Sequence, residues 1–140
     1  MNVDIRATVA APGYPFARAR RFLNRALAAA GGSAEELSLL FCGDAMMRTF
    51  NRRYRRKDRT TDVLSFPAGP GAPKGFLGDL VISAPEARRQ ARSAGVSLRD
   101  AMEKLLLHGL LHLLGYDHET DDGQMDALEG KLRSRLSITA

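Results

Sequence analysis

A single cysteine, Cys42, among 140 residues excludes an intramolecular disulfide framework and suits a reducing compartment, and its apolar neighbourhood reads as strand packing. No stretch approaches the roughly 18 to 20 apolar residues of a bilayer span. Residues 1–6 also lack the basic segment followed by an apolar one that marks a secretory leader. The expectation is a cytoplasmic protein with no membrane partner. Internal repeats, domain-dividing linkers and low-complexity segments are missing too, apart from a Pro/Gly loop at 67–75. Residues 1–140 are therefore read as a single domain, long enough for a hydrophobic core of its own. With 44% apolar and 26% charged residues, the composition is that of an ordinary globular protein.

Acidic residues are scarce in the first half only. Residues 1–70 carry 12 basic and 6 acidic groups and residues 71–140 carry 9 and 10, so the net charge of +5 belongs to the first half. Its densest part is the strip Arg48, Arg52, Arg53, Arg55, Arg56, Lys57 and Arg59, interrupted by one acid, Asp58. Seven cations in twelve residues make an electrostatic footprint for a polyanion, although a solvated helix end would look similar. Tyr54 and Phe50 have the spacing of core residues on that helix, with stacking on nucleobases as the alternative. Arg18, Arg20, Arg21 and Arg25 read as the solvated face of an earlier helix, with RNA contact as the other reading.

Hydrophobic period places the elements. Val3, Ile5, Ala7 and Val9 alternate with polar residues, as in a half-buried strand. After Pro12-Gly13, residues 16–30 have helical spacing and stop at Gly31-Gly32. Residues 37–42 read as a buried strand, followed by a short helix capped by Asp44 and running to about Tyr54. Strands are expected at 63–66 and 77–82. Ser83-Ala84-Pro85-Glu86 opens a helix ending near Gly95, and Ser97-Leu98-Arg99-Asp100 resembles a capping box for the next. A last helix is expected at about 121–136. The fold class is α+β, loosely α/β-like: a small mixed four-stranded sheet covered by about five helices.

Histidine is rare but concentrated, with all three in the run His108-Gly109-Leu110-Leu111-His112-Leu113-Leu114-Gly115-Tyr116-Asp117-His118. His108 and His112, four apart, project from one helix face. Gly115 can take the left-handed conformation that ends a helix and turns the chain back to deliver His118. Seven leucines make the segment apolar nearly all round, where unpaired imidazoles would cost free energy and a metal would satisfy them. Three nitrogen ligands leave a fourth position for water, as in a catalytic zinc site. The spacing also matches metzincin-type zinc peptidases, but Gly109 stands where their glutamate base would be. Asp117 and Glu119 flank the third histidine, as substitutes for that base or as orienting groups.

Several pieces occur together in order: residues 39–44 before a helix, Phe50-Asn51-Arg52-Arg53-Tyr54-Arg55-Arg56-Lys57-Asp58, Thr61-Asp62-Val63-Leu64-Ser65-Phe66-Pro67, Leu77-Gly78-Asp79-Leu80, and the histidine run. Together they resemble the YbeY endoribonucleases, also called rRNA maturation factors, over residues 39–119. Thr60 stands where that family usually has proline. The resemblance implies a zincin-like metal helix and a single-strand-specific metal-dependent endoribonuclease. It implies a role in maturation of small-subunit rRNA ends and in ribosome quality control. His108, His112 and His118 would be ligands of one Zn2+ per chain, and Arg55 the functionally important arginine. The implied partner is RNA in the small ribosomal subunit, with ribosomal proteins and an assembly GTPase as further ones. Arg55 and His108 are then the catalytic candidates. Arg48, Arg52, Arg53, Arg56, Lys57 and Arg59 are the RNA-binding ones, and Asp58, Asp62 and Asp79 are candidates for positioning. The competing readings are a non-catalytic RNA-binding assembly factor with a closed structural zinc, and a small zinc peptidase.

Overall fold

The computed structural model describes residues 1–9 and 13–139; Pro12 of the expected turn lies outside them. The elements run β1 (Asn2–Ala7), α1 (Phe16–Ala29), β2 (Glu36–Cys42), α2 (Asp44–Arg55), β3 (Val63–Pro67), β4 (Phe76–Ser83), α3 (Ala84–Ala94), α4 (Leu98–Leu113) and α5 (Gln124–Arg135). The strands form one mixed sheet in the order β1-β2-β4-β3. β1 and β4 lie parallel to β2, and β3 is antiparallel to β4. The α+β expectation, with four strands and five helices among the described residues, agrees with this architecture.

Alternation decides which face of the sheet is dry. Val3 and Ile5 of β1 and Leu37, Leu39 and Phe41 of β2 point to the face that α1 and α4 cover, and all are buried. α4 lies at the centre, against β3, β4, α1, α3 and α5. It carries buried residues on nearly every side, which explains a leucine-rich helix with no polar stripe. The opposite face has a smaller cluster, Cys42, Met47, Leu64 and Val81, with Phe50 and Phe66 against it, roofed by α2. Burial pushes the Cys42 thiol up to about 11, so it packs as an inert apolar group, as the strand pattern indicates.

Two glycines let helix, sheet and site come together. Gly78 has φ +143, and a Cβ there would run into the Phe66 carbonyl oxygen, so β3 and β4 keep their register only with glycine. Gly109 faces the sheet: a Cβ would sit 2.7 Å from Leu80 Cδ2 and 3.2 Å from Val63 Cγ2. α4 therefore approaches β3 closely enough for Ser65 Oγ to donate to the Gly109 carbonyl at 3.2 Å.

Helix ends follow the sequence with two corrections. Ser83 Oγ accepts from the Glu86 amide and Ser97 Oγ from the Asp100 amide, as N-caps should. Asp44 is not a cap. Gly43 holds that position, and the Asp44 carboxylate instead accepts from Ser83 Oγ at 3.1 Å and from Arg89 at 2.8 and 2.9 Å. The Arg89 hydrogen bond holds the Asp44 carboxyl below its ordinary value. The pair ties α2 to α3. The last helix begins at Gln124 rather than 121, and Asp121 precedes it, accepting from the Gly123 and Met125 amides.

Candidate metal centre

Three imidazoles meet where α4 ends. Tyr116 N–H donates to the Leu111 carbonyl and Gly115 N–H to that of His112, with Gly115 at φ +102. These are the bonds of a Schellman turn, and they reverse the chain so that His118 returns to the histidine pair on the helix. Ring centroids lie 4.8 Å apart for His108 and His112 and 5.4 Å for each pair with His118. One nitrogen from each ring falls within 4.8 Å of the others, and among the described residues no fourth donor joins that group. Three imidazole nitrogens are a donor set suited to zinc and neighbouring divalent ions.

A residue that the sequence reading missed sets one of these rings. Glu129 of α5, only 8% exposed, places Oε1 and Oε2 at 3.1 and 3.4 Å from His108 Nδ1. A neutral His108 then donates from Nδ1 and keeps Nε2 as its lone-pair nitrogen. Burial works against the Glu129 charge, but the His108 hydrogen bond and the nearby His108, Arg133 and Lys104 hold its carboxyl below the usual range. The same hydrogen bond raises His108. Burial first, then the two neighbouring imidazoles, lower His112, which keeps it neutral and free to ligate. Glu129 was not legible because it lies 21 residues away on a separate helix. Glu129→Ala should weaken metal binding by about 10- to 100-fold in a chelator competition, whereas Glu129→Gln, which still accepts from Nδ1–H, should recover most of the loss. Equal affinities for parent and Glu129→Ala would remove Glu129 from the centre.

The histidines open into a cleft of about 710 Å³, also lined by Arg55, Asp62, Ser65, Asp117 and Glu119. Arg55 is thus the one member of the basic strip brought to the imidazoles. It is exposed and makes no ion pair among the described residues. Arg48 instead forms a two-pronged contact with Asp58 at 2.9 and 3.1 Å, and Arg52 lies 3.8 Å from the same carboxylate. Arg53, Arg56, Lys57 and Arg59 are exposed outside the cleft. Buried Asn51 fastens the strip down: its side-chain amide donates to the Arg59 carbonyl at 2.9 Å, and its own carbonyl accepts from Lys57 N–H at 3.2 Å.

The acids differ in what they can do. Asp62 accepts from Val63 N–H at 2.7 Å and from Gln90 at 3.0 Å, and Asp117 accepts from the Glu119 amide at 3.0 Å. Asp58 is paired with arginine, and Asp79 faces a different groove. Position 109 points at Leu80 and Val63, so a glutamate base of the peptidase type has no room there. Tyr54 corrects another expectation. It has the spacing of a core residue but is 57% exposed.

The molecule is thus an α+β protein that gathers three imidazoles, a group able to hold a metal ion, in one open cleft. The family model for endoribonuclease YbeY matches residues 16–137, and the chain belongs to that family. A protein of Solibacter usitatus named endoribonuclease YbeY is 51% identical over 100 residues, which are 71% of this chain and 65% of that protein. One of Koribacter versatilis with the same name is 47% identical over 117 residues, 84% of this chain and 74% of the relative. One of Aquifex aeolicus is 46% identical over 117 residues, 80% and 77% of the two chains. The matched region thus spans about two thirds to three quarters of these relatives. A solution structure of a Thermotoga maritima protein shares the fold with a TM-score of 0.66 at 21% identity, covering 96% of this chain and 89% of that one.

Proposed function

We propose that residues 1–140 act as one domain, a zinc-dependent endoribonuclease that cuts single-stranded RNA in the maturation of small-subunit rRNA ends and in ribosome quality control. The observation that carries this reading is the shared cleft: Arg55 lines it together with His108, His112 and His118. Family membership supplies the substrate class. The absence of any helix long and apolar enough to cross a membrane among the described residues is compatible with a cytoplasmic site of action. Ribosomal proteins and an assembly GTPase enter as partners through the family resemblance alone.

His108, His112 and His118 would hold the ion, and Glu129 would fix the His108 ring. Bound there, zinc supplies Lewis acidity and makes water a competent nucleophile near neutral pH. Arg55 then grips the non-bridging oxygens of the scissile phosphate, where its planar fork matches two oxygens and strengthens as negative charge develops. It stays protonated at every relevant pH and takes no proton. Arg53, Arg56, Lys57 and Arg59 hold the flanking phosphates, and Arg48 and Arg52 join them when Asp58 yields.

If the strip tracks a phosphate backbone, RNA affinity falls with salt by roughly 0.7 in log K per contact for each unit of log salt. Arg53→Ala with Arg56→Ala should flatten that slope by the equivalent of about two contacts and leave metal content unchanged. An unaltered slope in filter-binding titrations would move the RNA path elsewhere.

A further inference from the structure

A second groove, of about 540 Å³, opens on the α2 side of the sheet and shares Tyr54 and Phe66 with the histidine cleft. Its floor is a single rung across all four strands. Asp4 of β1 is in register with Ser38 of β2, Ser38 with Asp79 of β4, and Asp79 with Phe66 of β3. Neighbouring strands lie about 4.8 Å apart, so two carboxylates, a hydroxyl and an aromatic ring form one row. Tyr54 rises at the aromatic end, edge-on to Phe66 with ring centroids at 5.3 Å, and is stacked at 6.1 Å on Phe50. α2 covers only the half of the sheet where Met47 meets Val81 and Leu64, and it leaves this rung open.

The chemistry of the rung selects what enters. Two carboxylates against one cation, Arg6, leave the groove net negative, so a polynucleotide backbone stays over the cations of the strip. The exposed ring of Tyr54 offers a face on which any base can stack. The floor beneath it is rich in acceptors: the Asp79 side chain has no hydrogen-bond or ion-pair partner among the described residues, and Asp4 has only a loose 3.7 Å pairing with Arg6. Carboxylates accept from the amino groups of guanine, cytosine and adenine. Uracil presents two carbonyl oxygens around a single N–H, and those oxygens would face the carboxylates. Partial desolvation also raises the Asp79 carboxyl.

We infer that this groove is a nucleobase subsite: the RNA strand leaving the histidine cleft turns one base over Tyr54 and Phe66 onto the Asp4–Ser38–Asp79 row, which favours bases carrying an amino group and disfavours uracil. The assignment rests on the nuclease reading for its substrate class, and on the continuity of the two grooves for its place.

Binding tests the subsite without requiring cleavage. Phosphorothioate-linked 2′-O-methyl uridine hexamers, unmodified in sequence or carrying one guanine, adenine or cytosine, would be titrated into zinc-loaded full-length protein by fluorescence anisotropy. The amino-bearing hexamers should bind about fivefold or more tightly than all-uridine. Asp79→Asn, whose amide offers a donor to uracil, should bring the four affinities within about twofold of one another. Tyr54→Ala should weaken all four by about fivefold or more. Both side chains are exposed, and thermal melts of the variants should match the parent. Equal affinity of the parent for all four hexamers, or selectivity that survives Asp79→Asn, overturns the subsite. Correct selectivity in a protein that cuts no RNA would sustain the subsite and refute the nuclease reading, whereas RNA cutting without selectivity would do the reverse.

Discussion

His112→Ala should strip the protein of its metal and its nuclease activity together, while leaving it folded. His112 is the middle histidine in sequence, half-buried on α4 with its ring 4.8 Å from that of His108 and 5.4 Å from that of His118, and its removal leaves two imidazoles, too few for a stable zinc centre. An ion that contributes several kcal/mol of charge stabilisation in the transition state is worth on the order of 10³-fold or more in rate. Metal content should drop from one ion per chain to trace, and cleavage of a single-stranded RNA to the buffer rate. The leucines around position 112 that pack α4 are untouched, so circular dichroism should match the parent. A variant that keeps stoichiometric zinc, or that cuts RNA as fast as an identically purified parent, would place the chemistry outside the histidine cleft.

Arg55→Glu is expected to abolish cleavage with almost no effect on stability. The side chain is exposed at the end of α2 and has no ion-pair partner among the described residues, so the folded state gains from it only a weak, solvent-screened interaction with the helix C-terminus. Surface changes of this kind lie within about 0.5 kcal/mol, a shift of a few degrees at most. Loss of one preorganised donor to a developing oxyanion costs about 10²- to 10³-fold, and a carboxylate in its place adds repulsion. Single-turnover rates and melting curves on one preparation separate the two effects. A lowered melting temperature with normal specific activity in the folded fraction would make Arg55 structural.

Much of this centre is readable from the chain because it is local. His108, His112, Gly115 and His118 fall within eleven residues, and helix geometry plus one left-handed glycine suffices to bring them together. The strands and the Ser83 and Ser97 helix caps were legible for the same reason, since period and cap chemistry are short-range signals. What escaped reading depends on distant partners. Glu129 reaches His108 only because α5 packs on α4. Asp44 looks like a cap until Ser83 and Arg89 arrive from β4 and α3. Tyr54 has core spacing, yet it meets Phe66 on β3 only edge-on and stays exposed. The rung of Asp4, Ser38, Asp79 and Phe66 joins four strands whose order is not a sequence property. The charge of the strip was legible, but its division was not: Asp58 draws in Arg48 and Arg52, and of the strip only Arg55 lines the histidine cleft.

Hydrolysis of RNA at the three-histidine centre is tested most directly by titrating zinc into chelator-stripped protein and following single-turnover cleavage of a labelled single-stranded RNA. One site with three protein ligands and an open position predicts a rate that climbs linearly to one equivalent of zinc per chain and then stays flat. A rate already at its maximum without zinc, or one that remains at the buffer level when a full equivalent is bound, would contradict it.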